Sequence, residues 1–339
     1  MTSSLVRPPP PRRVLLIQKG ALGDVTLTTA LLDDLHRAFP TATLDFAVGA
    51  AAAPLLEHHP LIAERVIIDA APAWRMAPAI RARRYEWVVD VQSSVRTALI
   101  TRCSGARVRI GWDARVRGVA YTHRLSRERP PEYVVTERRR LLALAGVPTG
   151  DTPPRLSLTR AERDAGARVL SDAGAPTGAP RAALLLSTVE PPKNWPLEHF
   201  IALVPLLRGA GITPVVFHAP GEDARIARLR AAAPEAIVLS QLPLREFMGA
   251  LAACDLLISG DSGPAHIADA LGVARVTIFG PTSPASWTPA RPTVIAISSA
   301  IPPTPAMRDR KRLLGDREDL TADVTPERVL AAVRSVLGP

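Results

Sequence analysis

Residues 256–284, LLISGDSGPAHIADALGVARVTIFGPTSP, decide how this chain folds. Leu256-Leu257-Ile258-Ser259 is a short apolar run suited to a strand buried in a parallel sheet. Gly260-Asp261-Ser262-Gly263 is turn chemistry, and the Pro264 that follows is favoured where a helix begins. Ala265 to Leu271 carries Ile267, Ala270 and Leu271 on one face, and Gly272 supplies a C-cap. Val276-Thr277-Ile278-Phe279 is the next strand, closed by Gly280-Pro281. A glycine-flanked turn that opens a helix leaves several backbone N–H groups pointing into one space at the positive end of the helix dipole. Such a place suits an anion, and in an α/β protein the usual guest is phosphate. His266, early in the helix, can face the same anion. The plainer alternative is that Asp261 or Ser262 caps the helix and His266 lies at the surface.

The same alternation extends to both sides. In the second half, Ala182 to Leu186 reads as a strand, Leu197 to Arg208 as a helix and Pro214 to Phe217 as a strand. Arg225 to Ala233 is then helical, Ala236 to Leu239 a strand and Leu244 to Ala253 a helix, and Thr325 with Pro326 opens a last helix reaching Leu337. In the first half, strands are expected at Val14–Ile17, Leu44–Val48, Val66–Ile68, Glu86–Val91 and Arg107–Gly111. One helix is expected from Asp24 to Phe39, stopped by Pro40; Arg138 to Ala145 is helical; and a Thr159/Glu162 capping box opens a helix ending near Gly174. The density of Pro and Gly in 175–180 marks that segment as a linker. The expected organisation is therefore a disordered, basic, Pro-rich lead-in over 1–12 and a Rossmann-like domain over 13–174. After the linker come a second Rossmann-like domain over 181–324 and a C-terminal helix over 325–339. Strands alternating with helices make the fold class α/β with parallel sheets.

Composition narrows the function. The 339 residues are 47% apolar, enough to bury a core in each of two domains. No run approaches the roughly 18–20 uninterrupted apolar residues of a membrane span. The start, MTSSLVRPPPPRR, lacks the apolar core of a secretory signal, and Cys103 and Cys254 have neither metal nor redox spacing. A soluble cytoplasmic protein is expected. The net charge is +10, and residues 75–140 account for all of it, with sixteen Arg, no Lys and six acids. An arginine field of this kind suits an anionic partner such as nucleic acid, acidic lipid or a phosphorylated glycan. The scarcity of interleaved aromatics disfavours nucleic acid. The plainer alternative is a GC-rich genome placing Arg on solvated faces.

Several residues offer chemistry. Gly20-x-x-Gly23-Asp24 follows the first strand, but the dinucleotide fingerprint needs a glycine at the position of Gln18, which disfavours a nicotinamide dehydrogenase. Asp24 either caps the first helix or takes a proton from an attacking hydroxyl. Lys193 reads, by itself, as a solvated loop side chain. Glu222 either caps the following helix or accepts hydrogen bonds from ribose hydroxyls. No Asp-x-Asp pair is available to hold a metal-bound diphosphate.

The run D-S-G-P-x-H-x-A-x-A-L-G, continuing through x-F-G-P-T-x-P to Trp287 and Pro289, resembles the C-terminal signature of glycosyltransferase family 9. That is the family of the ADP-heptose:lipopolysaccharide heptosyltransferases. Near the start, V-L-L-I-x-x-x-A-L-G-D-V resembles the family's N-terminal motif, and Lys193-Asn194-Trp195-Pro196 with Phe200 is similar to its K-x-W-P-x-x-x-F element. The resemblance implies a GT-B fold, two Rossmann-like domains facing a central cleft with the last helix crossing back to the first. It also implies an inverting single displacement with Asp24 as catalytic base, no metal and no cofactor, ADP-heptose being the donor substrate. Donor contacts would fall to Ser187, Thr188, Lys193, Glu222, Asp261, Ser262, Gly263 and His266. Gly20 and Gly23 would form a glycine loop near the acceptor. Asp90 and Gln92 resemble the family's D-x-Q beside the acceptor region, where Arg75, Arg81, Arg84, Arg117 and Arg124 suit its phosphates and acidic sugars. Trp74 among them either stacks on a sugar or belongs to the core.

The implied partners are a lipid-linked anionic acceptor of the Kdo-lipid A type and the cytoplasmic face of the inner membrane, contacted peripherally. One departure is that Ile301–Leu320 holds no cysteine, where many family members do. Two alternatives stand beside this expectation. One is a family member using another nucleotide sugar and another glycan or protein acceptor; the other is a non-catalytic nucleotide-sugar or nucleic-acid binding protein.

Overall fold

The strands of both halves pair in parallel, and their order reverses at the same place in each. The computed structural model describes residues 9–114, 117–126, 132–303, 313–315 and 317–338. In the first half β1 (Arg13–Ile17), β2 (Thr43–Val48), β3 (Glu64–Ile67), β4 (Trp87–Asp90), β5 (Val108–Trp112) and β6 (His123–Leu125) form one sheet, ordered β3-β2-β1-β4-β5-β6. In the second half β7 (Arg181–Leu185), β8 (Thr213–Phe217), β9 (Ile237–Leu239), β10 (Leu256–Gly260), β11 (Ala274–Phe279) and β12 (Val294–Ser298) are ordered β12-β11-β10-β7-β8-β9. Both are Rossmann orders, so each unit has a switch point, between β1 and β4 in one and between β7 and β10 in the other. Loops leaving the strand ends diverge there and leave room for a ligand.

The chain divides into Met1–Ser157 and Leu158–Pro339. The first unit carries α1 (Leu22–Thr28), α2 (Ala30–Ala38), α3 (Ala73–Ala82), α4 (Val95–Cys103) and α5 (Val134–Ala143). The second carries α6 (Arg160–Asp172), α7 (Leu197–Gly209), α8 (Asp223–Ala232), α9 (Leu244–Ala252), α10 (Gly263–Leu271), α11 (Pro284–Trp287) and α12 (Pro326–Leu337). Strand side chains such as Leu15, Ile17 and Val88 pack with Ile80 and Ile100 of the helices in one core. Leu184, Val216, Ile258 and Val276 pack with Phe200 and Leu203 in the other. The buried apolar runs are what make these strands central and parallel.

Four expectations change. The helix from Asp24 to Phe39 is two helices, because Thr26, Thr28 and Thr29 turn their hydroxyls back onto the carbonyls of Leu22, Asp24 and Thr26. Such back-bonding competes with the helical ladder and bends it. The short edge strands β6 and β12 complete each sheet to six, where the sequence suggested fewer.

The division falls before α6, not at the linker expected over 175–180. Residues 150–155 are stitched to α2 and its start: Asp34 Oδ1 accepts from the Gly150 N–H and Thr29 Oγ1 from the Arg155 N–H. By contrast α6 packs on α9, where Gly166 meets the main chain of Gly249 so closely that a Cβ would collide, and Arg245 grips Glu162 with two hydrogen bonds. The last helix, expected to return to the first domain, buries Val329 and Val333 in the second unit's own core. Among the described residues no helix is long and apolar enough to cross a membrane.

Candidate functional site

The carboxyl edge of the first sheet assembles two motifs that lie far apart in sequence. Asp90 ends β4 and is wholly buried; its Oδ1 accepts from the Ser93 N–H at 2.8 Å and its Oδ2 from the Tyr121 hydroxyl at 2.8 Å. Tyr121 reaches it across Gly111, where any Cβ would run into the phenol ring. Burial raises the Asp90 carboxyl to about 6 against these hydrogen bonds, which pull it down. Ser93 is held in the left-handed region, φ 48°, with its hydroxyl donating to Asp90 O. A constrained non-glycine residue of this kind fixes the loop that carries it. Gln92 is thereby delivered to the glycine loop after β1: its Oε1 accepts from Gln18 Nε2 at 2.7 Å and from the Gly20 N–H at 3.0 Å. Asp90 is thus a correction to the sequence expectation. It cannot touch an acceptor; it holds Gln92, and Gln92 holds Gly20.

The glycine loop leads into α1, where Gly23 is buried and Asp24 stands partly exposed. Arg138 of α5, itself nearly buried, donates through Nη1 to the main-chain O of Asp24 at 2.7 Å and to Thr28 Oγ1 at 2.8 Å. Its Nη2 donates to Asp24 Oδ1 in a short ion pair. Oδ2 of Asp24 receives no donor among the described residues. Asp24 is therefore not an N-cap. It is a carboxylate fixed on one side and open on the other, which is the arrangement a general base needs.

The arginines expected to meet an acceptor separate into two groups. Arg75 begins α3 with its guanidinium over the Trp74 ring, 4.9 Å from the centroid, and both are exposed; Trp74 is not core. Arg117 follows β5, and Arg124 lies level with Gly111, the partner of Asp90, pairing with Asp113 at 3.6 Å. These three lie toward the carboxyl edge, as Asp24 does. Arg81 and Arg84 do not. They stand where α3 ends, at the amino edge of the sheet: Arg81 is beside Gly105 just past α4, and Arg84 leads into β4. A helix that connects parallel strands starts at one edge of the sheet and finishes at the other, which separates Arg75 from Arg81 and Arg84.

In the second unit the loops after β7, β8, β10 and β11 share the carboxyl edge. Gly260, ending β10, lies directly against the Lys193 carbonyl and the Thr188 methyl, an approach only glycine permits. The Lys193 ammonium is mostly buried, 2.9 Å from Glu190 Oε1 and 3.1 Å from Asp261 Oδ2, so it is not a solvated loop side chain. Asn194 braces the loop, its Oδ1 accepting from the Thr188 N–H at 2.7 Å and its Nδ2 donating to Glu318. Thr188 Oγ1 donates to Glu190 O, and Ser187 lies half-buried beside it.

Ser262 occupies the N-cap position of α10 and makes no capping bond, and its hydroxyl is buried without a partner among the described residues. Gly263 opens the helix behind it, and Gly272 closes it in the left-handed conformation, φ 83°. His266 is buried, with its ring tilted against Trp287 at 5.8 Å between centroids. The buried Arg275 of β11 secures that indole by donating to Trp287 O at 3.2 Å. Glu222, also buried, makes no cap bond to α8. Its Oε2 turns back to accept from the Ala219 N–H at 2.8 Å, and Oε1 has no partner among the described residues. A half-satisfied buried carboxylate and a buried hydroxyl with no protein partner among the described residues each cost free energy, which a ligand can relieve.

Arg138, Glu190, Asn194, Tyr121 and Arg275 were not singled out from sequence. The Arg138-Arg139-Arg140 run on a helix was the available signal for the first, but it did not say which guanidinium turns inward. Among the described residues no three His, Cys, Asp or Glu side chains are grouped to hold a metal ion.

Comparison with known proteins identifies the family and the fold. The family model described as glycosyltransferase family 9 (heptosyltransferase) matches residues 73–315. The lipopolysaccharide heptosyltransferase 1 of Pseudomonas aeruginosa is 30% identical over 293 residues, covering 80% of this chain and 79% of the relative. Among solved structures, Escherichia coli ADP-heptose lps heptosyltransferase II superposes with a TM-score of 0.78 at 22% identity, covering 96% of this chain and 98% of that one. E. coli heptosyltransferase WaaC with ADP-2-deoxy-2-fluoro heptose gives 0.72 at 24%, covering 95% and 99%. The fold is GT-B, and the chain belongs to glycosyltransferase family 9.

Proposed function

We propose that this protein transfers heptose from ADP-heptose to the inner core of lipopolysaccharide, on a Kdo-lipid A or heptosyl-Kdo-lipid A acceptor, with inversion and without a metal ion. The names of its relatives support the sugar and the acceptor class. An acceptor hydroxyl attacks the anomeric carbon of the heptose as the bond from that carbon to the diphosphate oxygen breaks, and ADP departs. Asp24 Oδ2 takes the hydroxyl proton while Arg138 holds Oδ1. An ammonium has three N–H donors; Lys193 uses two on Glu190 and Asp261, and the third serves a phosphate oxygen. Together with the Ser262 hydroxyl and the first N–H groups of α10, it stabilises the negative charge that grows on the leaving group. Glu222 Oε1 accepts from a ribose hydroxyl. Because the acceptor is lipid-linked, the enzyme works at the cytoplasmic face of the inner membrane.

The observation that carries this reading is the buried, unpaired Ser262 hydroxyl at the mouth of α10, adjoining the Asp261–Lys193 pair. Its test is ADP release in EDTA from ADP-heptose, with heptose-free and one-heptose acceptors in parallel and Asp24→Ala as control. Release that needs Asp24 and one acceptor is expected, and the acceptor that supports it names the step. Silence on both, with turnover of another nucleotide sugar, overturns the heptose assignment.

A further inference from the structure

The first unit exposes four large apolar side chains on one corner. Trp74 is 64% exposed, Val95 72%, Leu99 41% and Val119 77%, and these are four of the six large hydrophobics so exposed among the described residues. They are neighbours in space. Trp74 lies in the first turn of α3; Val95 and Leu99, four apart, share a face of α4; and Val119 sits in the 3-10 turn Arg117–Ala120 after β5. Arg96 of α4 donates twice to Ala71 O, which ties the start of α4 to the lead-in of α3. Ala98 of α4 packs against Ala120 and Tyr121, which brings Val119 alongside. All three segments leave the sheet at its carboxyl edge.

Among the described residues the charges around this corner are mainly positive. Arg75, Arg117 and Arg124 are exposed there. From residue 70 to 126 the acids are Glu86, Asp90 and Asp113. Glu86 is at the opposite edge, accepting from the Arg12 N–H; Asp90 is buried; Asp113 is paired with Arg124. Asp69, just before, accepts from the Ala50 N–H. Aliphatic residues and an indole ringed by guanidiniums, with no unpaired carboxylate among them, match a surface that is apolar inside and anionic at its rim. A protein partner of mixed charge is not selected by such a ring, whereas a bilayer with acidic headgroups is. We infer that this corner is a docking face for an anionic bilayer. Trp74, Val95, Leu99 and Val119 enter the acyl boundary, and Arg75, Arg117 and Arg124 lie among the headgroups. The inference concerns attachment and stands whichever sugar the enzyme moves.

The test is co-sedimentation of the full chain with phosphatidylcholine vesicles, against vesicles of equal parts phosphatidylcholine and phosphatidylglycerol. Binding to the mixed vesicles alone is expected, falling as salt rises. The double variant Val95→Ser/Leu99→Ser should bind them on the order of tenfold more weakly, since the loss is of inserted apolar area. Trp87, Trp112 and Trp195 are buried and Trp287 is half-buried against His266 in the second unit, so a blue shift in indole emission on vesicle binding should be largely lost in Trp74→Phe while binding persists. Equal binding of wild type and the double variant, or an emission unchanged by vesicles, would overturn the docking face. So would a concentration-dependent dimer, seen by sedimentation velocity, that the double variant abolishes, because the face would then belong to a second copy. Matching far-UV spectra and melting curves for the variants show that each result comes from a folded protein.

Discussion

Arg138 on α5 holds Asp24 on α1 by both its main-chain carbonyl and its carboxylate, and the same guanidinium also reaches Thr28. A carboxylate on a short helix would otherwise sample several rotamers. The three-point grip leaves it one, with Oδ2 turned out. Arg138→Ala should therefore lower kcat by about a hundredfold, the typical cost of a displaced catalytic group, with KM for the donor nearly unchanged. Arg138→Lys should recover part of the loss. A lower melting temperature with unchanged kcat would mean that the grip only stabilises the fold.

Lys193 lies between two carboxylates, so its removal has two consequences. Lys193→Ala should weaken ADP about ten- to a hundredfold in calorimetry, the range of a hydrogen bond to a charged group. It should also lower the melting temperature, because the buried Asp261 carboxylate loses the ammonium 3.1 Å away. Equal ADP affinity in the variant would remove the lysine from the donor site.

Glu222 offers a cleaner separation of binding from stability. In Glu222→Gln the side-chain oxygen can still accept from the Ala219 N–H, so the melting temperature should hardly move. ADP should bind about tenfold more weakly, while inorganic pyrophosphate, which has no ribose, should bind as before. Parallel losses for both ligands would place Glu222 at the phosphates.

Two buried groups titrate in one window with opposite signs. Burial raises Asp90 to about 6, so the folded state binds more protons than the unfolded between about pH 4 and 6, and this group stabilises the fold as pH falls. Burial, with Arg155 nearby, lowers His59 to about 4, so the unfolded state binds more protons over the same range and this group destabilises the fold as pH falls. Each shift corresponds to roughly 3 kcal/mol at most. Denaturant melts from pH 4 to 6 should show acid sensitivity increased in Asp90→Asn and decreased in His59→Gln. The same slope in all three proteins would refute the opposition.

Gly166 and Gly249 test where the chain divides. A Cβ at Gly166 would overlap the main chain of Gly249, and one at Gly249 would meet the Glu162 carbonyl, so the two helices touch through glycines on both sides. Gly166→Ala should cost about 1–3 kcal/mol in unfolding. If α6 were part of the first unit, the variant would melt like wild type.

Much of the fold was legible in the residue order. The short, continuous apolar runs from Val14 to Ile17 and from Leu256 to Ser259, each followed by a glycine-bearing turn, point to interior parallel strands, which is what they form. Thr159 with Glu162 announced a helix start that forms as a reciprocal capping box. The edge strands β6 and β12 escaped notice because three to five partly exposed residues carry little periodicity. The division of the chain was misplaced because Pro and Gly density marks where a chain can bend, and the seat of α6 on α9 depends on a glycine 83 residues away.

By itself the sequence determined two α/β halves, the loops at their strand ends, and the residue types gathered there. These rest on periodicity, turn chemistry and caps, which are encoded within a few neighbouring residues. Only the tertiary structure decided what each charged side chain does. Asp24 and Arg138 are 114 residues apart, Gln18 and Gln92 are 74 apart, and Asp90 looks like any polar residue until Tyr121 closes over it. A charge is worth little in water and much when desolvated beside one partner. That choice of partner is made by which helix faces pack together, and no local stretch of chain contains it.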